Sequence, residues 1–253
     1  MRVAVPVARH AVLVRSLHDP NAKLVETALA ADALRRAGAR RVTLVAPYLP
    51  YMRQDAVFRP GEPLSQRAIG HWLGLTYDAV LTVEAHLHRI VRLDEVIPCA
   101  ARSLPAAPAI TQWVRRWRPT SVLVGPDDES APWVRAIAAA TGSPWLVGRK
   151  RRLRDRLVRV DVPAVPPAYR RAVVIDDIAS SGATLAATAR ALRRAGVRRV
   201  DAIVVHAIFG PGAIHRIRRA GVRRLVSCDT VPHATNAIAC AGVVASALRE
   251  VLR

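Results

Sequence analysis

One stretch constrains the chain more than any other: Val173-Val174-Ile175-Asp176-Asp177-Ile178-Ala179-Ser180-Ser181-Gly182-Ala183-Thr184. Ala172–Ile175 reads as a short apolar strand. Two carboxylates, Asp176 and Asp177, stand at its carboxyl end, and Ser180, Ser181, Gly182, Ala183 and Thr184 lead into a helix expected from Leu185. In an open α/β sheet, ligands lie beyond the carboxyl ends of the strands. Backbone N–H groups at a helix start, joined by a glycine and hydroxyls, form a nest for an anion. The aspartates suit the hydroxyls of a sugar, or the neighbourhood of a magnesium ion, far better than phosphate. An acid pair followed by a hydroxyl-glycine turn therefore reads as a site for a sugar 5-phosphate.

The rest of the chain repeats the rhythm of helix, glycine and strand. Asn21–Ala37 reads as an amphipathic helix, capped by Asp19 or Asn21 and stopped by Gly38, with a strand at Arg41–Ala46. A second helix is expected at Ser65–Leu73 and strands at Ala79–Val83, Ser121–Gly125, Trp145–Val147, Ala202–Val205 and Arg224–Ser227. A last helix is expected from Asn236 to Leu252. Such alternation predicts an α/β fold with mostly parallel sheets flanked by helices. Leu34-Arg35-Arg36-Ala37-Gly38-Ala39-Arg40-Arg41-Val42 recurs as Leu192-Arg193-Arg194-Ala195-Gly196-Val197-Arg198-Arg199-Val200, with a weaker copy at Arg218–Arg224. The repeat predicts two related tandem domains. Pro98, Pro105 and Pro108 mark a linker-like stretch, so the division is expected at 1–98 and 99–253, the helix 236–252 packing back on the first domain.

With 253 residues, 51% of them apolar, the chain can bury a real core. No apolar run approaches a membrane span and the start lacks a signal-peptide pattern. Three widely spaced cysteines, Cys99, Cys228 and Cys240, fit neither a disulfide framework nor a zinc site, and a cytoplasmic protein without membrane contact is expected. The formal charge is +20, yet only Lys23 and Lys150 are lysines. The arginines are spread over helix faces and turns rather than gathered in a tail. A role on nucleic acid is not expected; a basic surface also favours phosphorylated substrates.

The loop at 173–184 resembles the signature of the type I phosphoribosyltransferase fold, shared by salvage transferases and by the ribose-phosphate pyrophosphokinases, the phosphoribosyl pyrophosphate synthases. A second segment separates the two. Pro47-Tyr48-Leu49-Pro50-Tyr51-Met52-Arg53-Gln54-Asp55 resembles the Pro-Tyr-x-x-Tyr-x-Arg-Gln-Asp segment of the pyrophosphokinases. That resemblance implies Arg53 and Gln54 for ATP, with Asp55 structural or near the metal. Thr82-Val83-Glu84-Ala85-His86 resembles the family's Thr-Val-Asp-x-His strand end, with Glu84 in place of Asp; it implies His86 beside a magnesium ion, and His88 is a second candidate. Val122-Leu123-Val124-Gly125-Pro126-Asp127 resembles the strand ending in Pro-Asp and implies Asp127 for a metal. The family's following Gly-Gly is replaced by Asp128-Glu129-Ser130.

Gly148-Arg149-Lys150-Arg151-Arg152 stands where the family carries a catalytic arm, a Lys with an Arg two residues on, which implies Lys150 and Arg152. A shift of one would put Arg149 and Arg151 there instead. Phe209-Gly210-Pro211-Gly212-Ala213 and Cys228-Asp229-Thr230-Val231-Pro232-His233 resemble later family segments. The resemblance runs from Val14 to about Ser246. Ser180 stands where many family members have Asp, and no counterpart of the family's Phe-x-Asp-Gly-Glu segment precedes Val14, so a shortened first domain is expected.

The implied function is a Mg²⁺-dependent ribose-phosphate diphosphokinase acting on ATP and ribose 5-phosphate, expected as a homo-oligomer. Two alternatives stay open: a non-catalytic, pyrophosphokinase-like regulatory subunit, and a salvage phosphoribosyltransferase. The Arg53-Gln54-Asp55 segment counts against the latter.

Overall fold

The computed structural model describes residues 2–116, 121–154 and 157–252; the side chains of 152–154 and 157 fall outside that description. The chain divides into two compact units, one made of the residues up to Pro105 together with those from Ala241, the other of Ala106–Cys240. No helix among the described residues is long and apolar enough to cross a membrane.

The first unit holds a four-stranded parallel sheet in the order β1 (His10–Val14), β2 (Arg41–Ala46), β3 (Ala79–Val83) and β4 (Ala100–Leu104). β3 is buried along its whole length, as a strand covered on both faces should be. Helix α1 (Pro20–Arg36) joins β1 to β2, and α2 (Ser65–Thr76) joins β2 to β3. Asp19 does occupy the N-cap of α1, but with φ of 53° and without a side-chain cap bond. Asn21 instead accepts the Tyr51 hydroxyl at 2.5 Å.

β4 lies in the stretch read as a linker. Its prolines flank the strand rather than interrupt it, as an edge strand allows, and Pro108 sits in the first turn of the next helix, α3 (Ala107–Arg115). The boundary between the units therefore falls between Pro105 and Ala106, not at 98/99. The last helix, α7, is Ala241–Val251, shorter than the expected 236–252. It buries Ala247 in a cluster with Val45, Leu81 and Leu104, flanked by Val243, Val244 and Leu248.

The second unit holds a six-stranded sheet. Its strands are β5 (Ser121–Gly125), β6 (Trp145–Val147), β9 (Arg171–Ala179), β10 (Arg199–Ala207), β11 (Val222–Cys228) and β12 (Asn236–Ile238), in the order β12-β11-β10-β9-β5-β6, all paired in parallel. Helix α4 (Ala131–Thr141) joins β5 to β6, α5 (Ala183–Arg194) joins β9 to β10, and α6 (Ala213–Arg219) joins β10 to β11. β7 (Arg149–Arg154) and β8 (Leu157–Asp161) form a separate antiparallel hairpin after β6.

The sequence repeat is a structural repeat. At the end of α1, Ala37, Gly38 and Ala39 donate to the carbonyls of Ala33, Arg35 and Leu34, and Arg40 and Arg41 donate to Arg9. At the end of α5, Ala195, Gly196 and Val197 donate to Ala191, Arg193 and Leu192, and Arg198 and Arg199 donate to Arg170. Gly38 and Gly196, with φ of 108° and 88°, make the left-handed turn that lets the chain enter the next strand. The units β1-α1-β2 and β9-α5-β10 are thus the same device used twice.

In each unit an aspartate ties neighbouring elements. Asp78 accepts the Val42 N–H at 2.8 Å and Arg35 at 3.1 Å. Asp201, 6% exposed, accepts the Arg224 N–H at 3.0 Å and Arg199 at 2.9 Å. Asp201→Ala leaves the Arg224 N–H and the Arg199 guanidinium without this acceptor, so a loss of about 1–3 kcal/mol is expected. Thermal melting checks it: the midpoint should fall well below that of the parent, and an unchanged midpoint would remove this carboxylate from the account of the sheet.

Candidate active site

The strand order of the second unit reverses at one place. From β5 the chain moves outward to β6; from β9 it moves the other way through β10, β11 and β12. Between the carboxyl ends of β5 and β9 the two βα connections diverge and leave a crevice, the place where open α/β sheets bind ligands. The sheet of the first unit runs in sequence order from β1 to β4 and has no such reversal.

The residues at this crevice are those of the opening motif. β9 continues to Ala179, so Asp176 and Asp177 lie within the strand and not beyond it. Asp176 is buried and its carboxylate accepts the Asp177 N–H at 3.1 Å, while Asp177 is half-buried. Burial pushes the Asp176 carboxyl well above the ordinary carboxylate range; Asp177 and Asp127 add to the rise and Lys150 opposes it. Asp177, Asp127 and Lys150 therefore all lie within electrostatic reach of Asp176. Lys150 donates to Asp127 Oδ2 at 2.7 Å, both side chains being about four-fifths covered, with exposures of 20% and 16%. Asp127 also closes the short turn Asp128–Ser130: its Oδ1 accepts the Ser130 N–H at 3.3 Å, and Ser130 Oγ donates back to its carbonyl at 2.5 Å. The substituted Asp128-Glu129-Ser130 segment is thus a capped turn whose acids are exposed.

Strand alternation separates the two registers of the basic arm. Along β7 successive side chains alternate; Lys150 reaches the carboxylates, while Arg149 and Arg151 are exposed. Arg152 belongs to β7, but its side chain lies outside the described residues.

The turn itself is Ser180-Ser181-Gly182, with α5 starting at Ala183, so Ala183 and Thr184 form the helix's first turn. Ser180 and Ser181 are exposed. Gly182 has φ of 71°, and a Cβ there would stand 2.8 Å from Ile217 and 3.1 Å from the Ala213 carbonyl. Only glycine satisfies both the turn and this approach of α6. From behind, the Gly210 N–H donates to the Ser180 carbonyl at 3.0 Å and Arg216 donates to the Ser181 carbonyl. Arg216 is a positioning residue that sequence reading missed; its place near the Phe209–Ala213 segment was the available signal.

The first unit gathers a second group. The loop after β2 carries Arg53, which is exposed, and Gln54, whose Oε1 accepts the Ser65 hydroxyl at the start of α2. The side chain of Asp55 is 6% exposed and faces His88 Nδ1 at 3.6 Å and Arg89 Nε at 3.4 Å. His88 stacks on His86 with ring centroids 6.0 Å apart. Asp55 thereby faces the segment after β3 that carries His86, at ion-pair and not hydrogen-bond distance. Glu84 opens that segment with φ of 44°, its N–H held by the Leu104 carbonyl at 2.8 Å. His86 belongs to this unit and Asp127 to the other. Among the described residues no three His, Cys, Asp or Glu side chains are gathered as a ready metal site.

A hydroxyl-glycine turn at the switch point of a parallel sheet, preceded on its strand by an acid pair, defines the phosphoribosyltransferase type of α/β domain. Residues 106–240 match the model of the phosphoribosyl transferase domain, and residues 6–74 match that of the N-terminal domain of ribose phosphate pyrophosphokinase. The second match begins ahead of Val14, where the motif resemblance started. The ribose-phosphate pyrophosphokinase of Pyrococcus abyssi is 31% identical over 225 residues, covering 88% of this chain and 78% of that protein. The one of Aeropyrum pernix is 34% identical over 227 residues, covering 88% and 72%. The crystal structure of phosphoribosylpyrophosphate synthetase from Mycobacterium smegmatis shares the fold, with a TM-score of 0.79 at 23% identity over 96% of this chain and 82% of that one. The chain belongs to the ribose-phosphate pyrophosphokinase family, as its motifs led one to expect.

Proposed function

We propose that the protein transfers the β,γ-pyrophosphoryl group of ATP to the C1 hydroxyl of ribose 5-phosphate, yielding phosphoribosyl pyrophosphate and AMP. The observation that carries this reading is the crevice between β5 and β9, where Asp127, Lys150, Asp176 and Asp177 meet beside the phosphate turn. The 5-phosphate rests on residues 180–184 and the ribose hydroxyls on Asp176 and Asp177. The C1 oxygen attacks the β-phosphorus in line; the bond from that phosphorus to the oxygen bridging it to the α-phosphorus breaks, and AMP leaves with that oxygen. Lys150 and Arg152 stabilise the charge on the moving group. Arg53 and Gln54 hold ATP. No protein nucleophile is required, because positioning and charge neutralisation carry such transfers.

Magnesium fits this crevice. It prefers oxygen ligands and is held by one or two carboxylates plus substrate phosphates, and Asp176, with Asp177 and Asp127 near enough to act on it, offers that donor set. Asp127 and Asp176 would hold it, and the ion would offset phosphate charge. Homo-oligomerisation and a cytoplasmic location belong to the same reading; Val25 and Leu29, exposed by 59% and 58% one turn apart on α1, support the former.

The test is product analysis with ATP, Mg²⁺ and ribose 5-phosphate. AMP should appear in step with phosphoribosyl pyrophosphate. Binding of ribose 5-phosphate without AMP would favour the regulatory subunit, and ADP would overturn the reaction type. Arg53→Ala bears on the division of the site. Loss of a charge-assisted hydrogen bond worth about 1.5–3 kcal/mol should raise the KM for ATP on the order of ten- to a hundredfold, while the KM for ribose 5-phosphate changes little. Steady-state kinetics that show the sugar suffering more would reverse the assignment.

A further inference from the structure

The arginines look dispersed in the sequence, but the fold of the second unit collects many of them at one edge. β9, β10 and β11 are parallel, so their amino ends lie together, opposite the crevice. The α5–β10 junction brings Arg193, Arg194, Arg198 and Arg199 around Gly196, and the α6–β11 junction brings Arg218, Arg219, Arg223 and Arg224 around Gly221. Arg170 and Arg171 stand at the start of β9.

The three groups are contiguous. Arg199 is in register with Arg171, the Arg198 and Arg199 N–H groups both donate to Arg170, and Arg193 packs over Gly221, where a Cβ would meet it at 3.6 Å. All are exposed except Arg199, which is half-buried. Among the described residues of this unit, the one acid at that edge is Asp201, already taken by Arg199. The others, from Asp127 to Asp229, lie at or beyond the carboxyl ends of the strands or in the hairpin. The carboxylates are thus segregated along the strand axis and leave this edge almost wholly basic, while the arginines of the hairpin stand near the acids at the other end.

We infer that this edge is a docking surface for the phosphate backbone of a nucleic acid, separate from the crevice. Guanidinium groups pair with phosphate oxygens in bidentate fashion, and a dense array without competing carboxylates neutralises a polyanion with release of its counterions. Trp113 beneath it is 9% exposed and covered by the Arg224 guanidinium 5.1 Å away. Arginine contacts to phosphate carry no base information, so binding should be indifferent to sequence.

The test is fluorescence anisotropy of a labelled single-stranded RNA with the full-length protein. With about four phosphates engaged, raising KCl from about 50 to about 200 mM should weaken binding on the order of fiftyfold. Saturating ribose 5-phosphate should not displace the RNA. The variant Arg194→Glu/Arg198→Glu/Arg223→Glu should bind at least about tenfold more weakly while still forming AMP. A neutral set, with Gln at the same positions, should lie between, which separates loss of charge from loss of fold. Absence of binding by the parent, displacement by ribose 5-phosphate, or equal binding by the variants would overturn the proposal. So would capture by phosphatidylserine vesicles or polyglutamate in place of RNA.

Discussion

Lys150→Ala is expected to lower the rate of AMP formation on the order of a hundredfold or more, with small changes in the affinity for either substrate. A group that meets charge only as it develops is felt in the transition state and hardly at all in binding. Lys150 is poised for this because its ammonium is held at 2.7 Å from Asp127 within the acid cluster and not in bulk water. Lys150→Arg should recover part of the loss, since a planar guanidinium cannot occupy the place of a point charge. Arg149→Ala is the control, its side chain being exposed on the other side of β7. Single-turnover measurements decide the matter. If Arg149 proves the sensitive position and Lys150 the silent one, the arm works in the other register.

The second large effect concerns the sugar. Asp176→Asn combined with Asp177→Asn should remove two acceptors of charge-assisted hydrogen bonds, a loss of about 3–6 kcal/mol that takes ribose 5-phosphate affinity down by at least about a hundredfold. Calorimetric titration checks it, and an unchanged affinity would end the proposed role of the acid pair. The fold should survive. In the ligand-free protein, burial first, and then Asp177 and Asp127, raise the Asp176 carboxyl far above its unfolded value. A group raised in this way contributes stability fully present below the ordinary carboxylate range and lost as pH rises through the folded value. Once ionised, the buried and crowded carboxylate is therefore a burden, and at a pH above the folded value Asp176→Asn alone should raise the melting midpoint, by roughly 2–4 °C per kcal/mol relieved. Stability gained by Asp176→Asn and binding lost in the double variant would identify a strained functional group.

Local features were legible in the sequence and distant pairings were not. β2, β3, β5 and β6 have the bounds expected of them, because each is an apolar run between clear punctuation. β4 was hidden by prolines that flank it. β9 was read four residues short at its carboxyl end because the acid pair and Ile178-Ala179 looked like the start of a loop. The phosphate turn could be read because turn, glycine and helix start are consecutive. The bond from Lys150 to Asp127 spans 23 residues and that from Arg216 to Ser181 spans 35; neither leaves a trace in spacing, since only the paired strands bring the partners together. The contact of Asp55 with His88 and Arg89 is of the same kind.

The return of α7 to the first unit has a consequence for biosynthesis. Residues 106–240 form one unit continuous in sequence, whereas the first sheet lacks the helix that covers Val45, Leu81 and Leu104 until residues 241–251 have been made. The amino-terminal half is thus synthesised first and completed last, so nascent chains must carry an uncovered apolar sheet face through the translation of the whole second unit, the interval in which such faces invite aggregation.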